Sequence, residues 1–192
     1  LYADTPEPDE PTPEAYAERV TGRMELGLTF IKFDIRMPRY DQRGDGLIGT
    51  PTQGEYGMAR RWVAPGTGQG TKLNDAGIER MADVVAAVRE AVGWEISLCT
   101  DHFGHGMMTA KEVIRLGHAV EPYGLAWLED PMPWWDVDGH KQVTDAINVP
   151  TCAGEELYLW DGFRDMIEKR AVDIIHPDLL TSGGMMETKR IA

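Results

Sequence analysis

Three short apolar runs, each ending in a carboxylate and each followed by a helix-like segment, constrain this chain more than any other feature. Asp101 closes the run 96–101, Glu129 closes 125–129 and Glu155 closes 149–155. The spacings are 28 and 26 residues, about one strand-plus-helix unit. Strands alternating with helices at that interval build a parallel α/β sheet. If successive strands of one barrel carry these acids, all three converge at its C-terminal mouth, where such barrels place their chemistry. Three carboxylates gathered there cannot all stay ionised without a cation, because like charges raise one another's pKa. A hard divalent ion with oxygen ligands satisfies them, and Mg²⁺ is the expected one.

The same rhythm runs through the rest of the chain. Residues 1–3 read as the end of a first strand, and the Pro/acid segment 4–13 is a loop whose Pro13 suits the first turn of a helix. Helical spacing follows over 14–26, closed by Gly27. In 30–35, Ile31, Phe33 and Ile35 face one side, with Lys32 and Asp34 on the other. A helix capped by Asn74 or Asp75 runs to about residue 92 with Ile78, Met81, Val84, Val85 and Val88 in one stripe, and Gly93 ends it. The third strand is 95–101 and the fourth 125–129, with a helix over 109–120 between them. A short helix at 139–147, a fifth strand at 150–155, a helix capped by Asp161 and running to 170, and a sixth strand at 172–178 complete the pattern. The turn Thr181-Ser182-Gly183-Gly184 opens a last helix.

The expected architecture is α/β: one partial (β/α)8-type, TIM-like barrel domain over 1–192, carrying strands one to six. A complete barrel of this type takes about 250 residues, so a chain of 192 predicts the last two strands and any capping domain to lie elsewhere. The segment 36–71 is rich in Gly, Pro and Arg and has no sustained period. It far exceeds an ordinary βα loop of about 2–6 residues. We read it as a lid or substrate-contacting loop above the catalytic face, with disorder or an oligomer contact as alternatives.

Composition narrows the partners. The net charge of −13, from 19 basic and 32 acidic residues, argues against nucleic acid, which attracts a basic footprint. It still permits an anionic substrate, since a bound dication reverses the local field. Cys99 and Cys152 lie in strand-like runs and read as buried reduced thiols of a cytoplasmic protein. No apolar stretch reaches the roughly 20 residues of a membrane span.

Asp101, Glu129 and Glu155 at successive strand ends, Lys32-Phe33-Asp34 at the second strand, and the run from His176-Pro177-Asp178 to Gly183-Gly184 together resemble the enolase superfamily. Within it, the similarity is to the mandelate racemase/muconate lactonizing group and its acid-sugar dehydratases. That resemblance implies that Asp101, Glu129 and Glu155 ligate Mg²⁺, and that a base removes the proton α to a substrate carboxylate, with Mg²⁺ stabilising the ene-diolate. It implies that Asp178 pairs with a catalytic His on the seventh strand, beyond Ala192, orienting the imidazole as a triad Asp does. A carboxylate capping the next helix is the structural alternative for Asp178.

Two departures from the family pattern point to dehydration. Two-base racemases carry Lys-x-Lys, whereas this chain has Lys32-Phe33-Asp34, which removes the second base. Asp34 instead is expected to pair with Lys32 or an Arg of the long loop, and Lys32 to hold or polarise the substrate carboxylate. After Asp101, many relatives have an Asn where this chain has Phe103, followed by His105. His105 is the candidate acid for the leaving hydroxyl, with His102 second and a plain loop histidine as the alternative. Arg36, Arg39 and Arg43 either contact the substrate carboxylate or are solvated.

Other residues carry weaker signals. His176 shares the parity of Asp178 one layer deeper and reads as a packed, hydrogen-bonded histidine; His118 and His140 read as surface residues. Trp134 and Trp135 either wall the substrate or pack under a loop. The pairs Met107-Met108 and Met185-Met186 read as core or helix-start packing. The function these readings favour is a Mg²⁺-dependent lyase converting a small sugar acid to its 2-keto-3-deoxy product, working as a homo-oligomer. A cycloisomerase or epimerase of the same superfamily and a non-catalytic metal-binding barrel are the alternatives; an unrelated metal-dependent barrel leaves the Pro-Asp…Gly-Gly turn unexplained.

Overall fold

A computed structural model of the chain describes residues 2–35, 47–48, 72–101 and 108–192. Six strands form one sheet in the order β1-β2-β5-β6-β7-β8, and every neighbouring pair is parallel. These are β1 (Ala3–Thr5), β2 (Phe30–Asp34), β5 (Ser97–Asp101), β6 (Leu128–Glu129), β7 (Thr151–Ala153) and β8 (Ile174–Ile175). They are the six strands expected from the sequence, and the sheet with its helices is the α/β partial barrel. β5, β6, β7 and β8 are each shorter than the runs that predict them, whereas β1 takes in Asp4 and Thr5 from the segment read as loop. A two-residue ribbon, β3 (Leu47–Ile48) against β4 (Lys72–Leu73), runs antiparallel and places a strand inside the segment read as loop.

The helices are α1 (Pro13–Glu25), α2 (Asp75–Val92), α3 (Ala110–Val120), α4 (Val137–Thr144), α5 (Leu159–Glu168) and α6 (Met185–Ile191). Their starts show local sequence at work. Thr12 caps α1 with Pro13 in its first turn, and Asn74 caps α2 by accepting from the Gly77 amide at 3.0 Å. Thr109 and Glu112 form a reciprocal capping box on α3. Two helices depart from expectation. Asp136 caps α4, so that helix starts before residue 139. Asp161 does not cap α5; the helix begins at Leu159 after an extended Tyr158, and Asp161 sits in the first turn, where a carboxylate still suits the helix dipole.

Alternation along the strands separates two environments. Ile31, Phe33 and Ile35 are buried among Tyr16 and Val20 of α1, Val84, Val85 and Val88 of α2, and Leu98 of β5. A second cluster joins Ala153, Leu157, Phe163, Met166, Ala171, Val172 and Ile191. Lys32 and Asp34 therefore take the opposite, inner face, and the register sets Lys32 beside Cys99 and Asp34 beside Asp101. Gly154, at φ +139, lets the chain pass β8: a Cβ there would stand 2.9 Å from the Phe163 ring and 3.2 Å from the His176 carbonyl oxygen.

One surface reading needs correction. His140 is fully buried, because it shares the inward stripe of α4 with Gly139 and Val143. Met185 and Met186 open α6 as expected of a helix start but are 73% and 81% exposed, whereas Met108 is core. Among the described residues no helix is long and apolar enough to cross a membrane.

Candidate metal centre and active site

Parallel strands deliver their C-terminal ends to one edge, and the expected carboxylates arrive there. Asp101 ends β5, Glu129 ends β6, and Glu155 follows β7 by two residues. Asp101 and Glu129 are 3% and 0% exposed. Two buried anions this close need a counter-ion, and Lys32 supplies it: its Nζ lies 2.8 Å from Asp101 Oδ2 and 3.2 Å from Glu129 Oε1. Burial alone would lower the Lys32 pKa, but the two carboxylates outweigh it and hold the ammonium above the ordinary lysine range.

Glu129 is held from three sides. His176 Nδ1 lies 2.8 Å from Oε1, the same oxygen that meets Lys32, while the Trp127 indole N–H donates to Oε2 at 3.0 Å. Burial pushes Glu129 up, yet these contacts bring its pKa below the usual glutamate value. The hydrogen bond to Glu129 in turn raises the His176 pKa against its burial. His176 is thus hydrogen-bonded as expected, and its partner is a candidate ligand. Its Nε2 faces the Tyr2 hydroxyl at 3.4 Å. Tyr2, Phe30 and Trp127 pack edge-on or tilted, with centroids 5.0–6.2 Å apart. The Lys32 ammonium lies 5.2 Å from the Tyr2 ring centroid.

Glu155 belongs to a separate group. One carboxylate oxygen from each of Asp130, Glu155 and Glu156 lies within 4.8 Å of the others. Asp101, Glu129 and Glu155 do not together form such a group: Lys32 gathers the first two, and the third stands with its neighbours. Burial, then Glu156 and the other acids, push Asp130 well above the ordinary aspartate value. Burial, then Glu155, push Glu156 to about 7. Glu156 Oε2 is buried and accepts no hydrogen bond among the described residues. Burial and the neighbouring carboxylates, Asp101 and Glu129 among them, raise Asp130 and Glu156, so the acidic edge as a whole, with an orphaned buried oxygen in it, fits a hard dication such as Mg²⁺.

Asp178 is exposed, and its Oδ1 accepts from the Leu180 and Thr181 amides at 2.7 and 2.9 Å. Those bonds hold its pKa low and tie the turn before α6; the helix itself starts after Gly184 with no side-chain cap, so Asp178 does not cap it. Asp178 also lines an open cavity of about 430 Å³ with Trp134, Glu155, Glu156, Tyr158 and Thr181. Trp134 is half-exposed there and meets Trp135 edge-on at 5.3 Å. Asp34 is buried on the inner face. Arg36, Arg39, Arg43, His102 and His105 lie outside the described residues.

Sequence reasoning passed over Trp127, Tyr2, Asp130 and Glu156 as site residues. Trp127 was reachable, because it sits two residues before Glu129 and shares its face. Asp130 breaks that alternation through a left-handed backbone, φ 46, and no periodic signal marks such a residue.

The enolase C-terminal domain-like family model matches residues 15–192. The chain is 35% identical over 193 residues to a D-xylonate dehydratase of Haloferax volcanii, covering 100% of this chain and 41% of the relative. It is 35% identical over 116 residues to a D-galactarolactone cycloisomerase of Agrobacterium fabrum, covering 60% of this chain and 30% of that one. A crystal structure of an enolase superfamily member from Salmonella Typhimurium superposes with a TM-score of 0.75 at 26% identity, over 100% of this chain and 45% of its own. The chain thus spans less than half the length of these relatives.

Proposed function

Because this chain belongs to the enolase C-terminal domain-like family, we propose that it is the catalytic barrel of a Mg²⁺-dependent hydro-lyase acting on a small sugar acid. The reaction removes the proton α to the carboxylate and the β-hydroxyl as water, and the resulting enol tautomerises to a 2-keto-3-deoxy acid. The observation that carries this reading is the buried Lys32 between two strand-end carboxylates, Asp101 and Glu129, with Glu155 on the same edge. The similarity to a D-xylonate dehydratase supports the reaction class.

In this reading Asp101, Glu129 and Glu155 hold Mg²⁺. When bound, the ion supplies charge neutralisation at the substrate carboxylate as the α-proton leaves. Lys32, freed in part from its two carboxylates, holds the substrate carboxylate. Asp34 beside it and Arg36 orient the substrate, with His102. His105 donates a proton to the departing hydroxyl, and Asp178 orients the imidazole base. Trp134 closes one wall of the cavity and excludes water. The same reading expects a homo-oligomer in the cytoplasm.

The test is to incubate the intact protein with a library of sugar acids, with and without Mg²⁺, and assay 2-keto-3-deoxy acids. Product that EDTA abolishes supports the reading. No product from any member, with Mg²⁺ binding demonstrated, overturns dehydration and moves the weight to a cycloisomerase, for which the D-galactarolactone cycloisomerase similarity speaks, or to a non-catalytic barrel.

A further inference from the structure

Below the carboxylate edge, the inner face of the sheet holds a second donor set of different chemistry. An oxygen of Glu129, the Cys152 thiol and a ring nitrogen of His176 lie within 4.8 Å of one another. We propose that Glu129, Cys152 and His176 form a binding site for a thiophilic dication such as Zn²⁺, distinct from the Mg²⁺ position except for the shared Glu129.

The surroundings of each donor leave one atom aimed inward. The Tyr2 hydroxyl faces Nε2 of His176, which leaves Nδ1 toward Glu129. A partner on the far nitrogen is the usual way a ligating histidine is held in one tautomer. Trp127 holds Glu129 Oε2 and leaves Oε1 toward Nδ1. Among the described residues the Cys152 thiol makes no hydrogen bond, whereas Cys99 donates to the Ile31 carbonyl. Cys152 is 1% exposed.

The dimensions agree with a tetrahedral ion. Bonds of about 2.0–2.3 Å place donor atoms roughly 3.3–3.8 Å apart. The Nδ1–Oε1 pair, now at 2.8 Å, has to open by less than about 1 Å. Binding releases the thiol proton, and the proton shared between Nδ1 and Oε1, to solvent. Lys32 retains Asp101 at 2.8 Å when Glu129 turns toward the ion. A sulfur–nitrogen–oxygen set selects zinc over magnesium, and three protein ligands leave the fourth position open. Because Glu129 serves both ions, a thiophilic metal takes a ligand from the magnesium position and inhibits the Mg²⁺ enzyme.

Cobalt(II) reports on this site without any need for turnover, so its outcome is separable from that of the dehydratase assay. Titration of Co²⁺ into the metal-free intact protein is expected to produce a near-ultraviolet thiolate-to-cobalt charge-transfer band saturating at one ion per chain, which Zn²⁺ bleaches. Cys152→Ala loses the band and Cys99→Ala keeps it. His176→Gln, checked for an unchanged thermal transition, weakens cobalt binding about tenfold or more. A wild-type protein saturated with cobalt that shows no charge-transfer band overturns the proposal without recourse to any variant. So does a band that survives in Cys152→Ala.

Discussion

Lys32 Nζ and Asp101 Oδ2 lie 2.8 Å apart across 69 residues of sequence. The contact exists because β2 and β5 are adjacent and parallel, with Lys32 two residues short of the register partner of Asp101. It places a buried cation where two strands deliver their acids.

Lys32→Met leaves Asp101 and Glu129 buried without their shared counter-ion. Removing one member of a buried ion pair costs about 3–5 kcal/mol. Urea unfolding in EDTA is expected to show a loss of that order, and added Mg²⁺ is expected to reduce it. An unchanged unfolding midpoint contradicts the assignment of Lys32 as the counter-ion.

Glu129→Gln and Glu155→Gln are expected to abolish Mg²⁺-dependent turnover and to weaken Mg²⁺ binding in calorimetry. Trp127→Phe removes only the 3.0 Å bond to Glu129 Oε2. Its expected effect is the smaller one of a lost orienting contact, about 10–100-fold in metal affinity.

Asp178 separates turn-making from catalysis. Asn at this position retains an oxygen for the Leu180 and Thr181 amides, so Asp178→Asn is expected to keep the thermal midpoint. If Asp178 orients the base, the same variant lowers turnover by orders of magnitude while Mg²⁺ binding persists. Wild-type turnover in Asp178→Asn leaves it a turn residue alone.

His140 gives a pH dependence remote from the active edge. Burial pushes its pKa down to about 4, against the opposing pull of Asp136, while the unfolded chain titrates near 6.5. Between those values the unfolded state binds more protons, so stability is complete above pH about 6.5 and is lost as pH falls toward 4. The expected loss is about 3 kcal/mol, read by urea unfolding across that range. His140→Gln is expected to remove this slope; an unaltered slope assigns the acid sensitivity to other groups.

Much of this molecule was legible in the chain because periodicity and end signals are local. The alternation of Ile31, Phe33 and Ile35 set the buried face of β2, and Asn74 marked the start of α2. His140 was misread because burial of one helical position depends on which side meets the sheet. Asp161 was misread because an extended Tyr158 starts α5 without a side-chain cap.

From the residues alone came the order of strands and helices, the placing of Asp101, Glu129 and Glu155 at successive strand ends, and the inward parity of Lys32. These follow from dihedral and side-chain periods that each segment carries by itself. Which charges share a partner was decided only in three dimensions. Lys32 took Asp101 and Glu129, His176 took the same Glu129 oxygen, and Glu155 stood with Asp130 and Glu156. Such pairings depend on strand register and on the burial that makes an unpaired charge costly, and neither quantity belongs to any one segment.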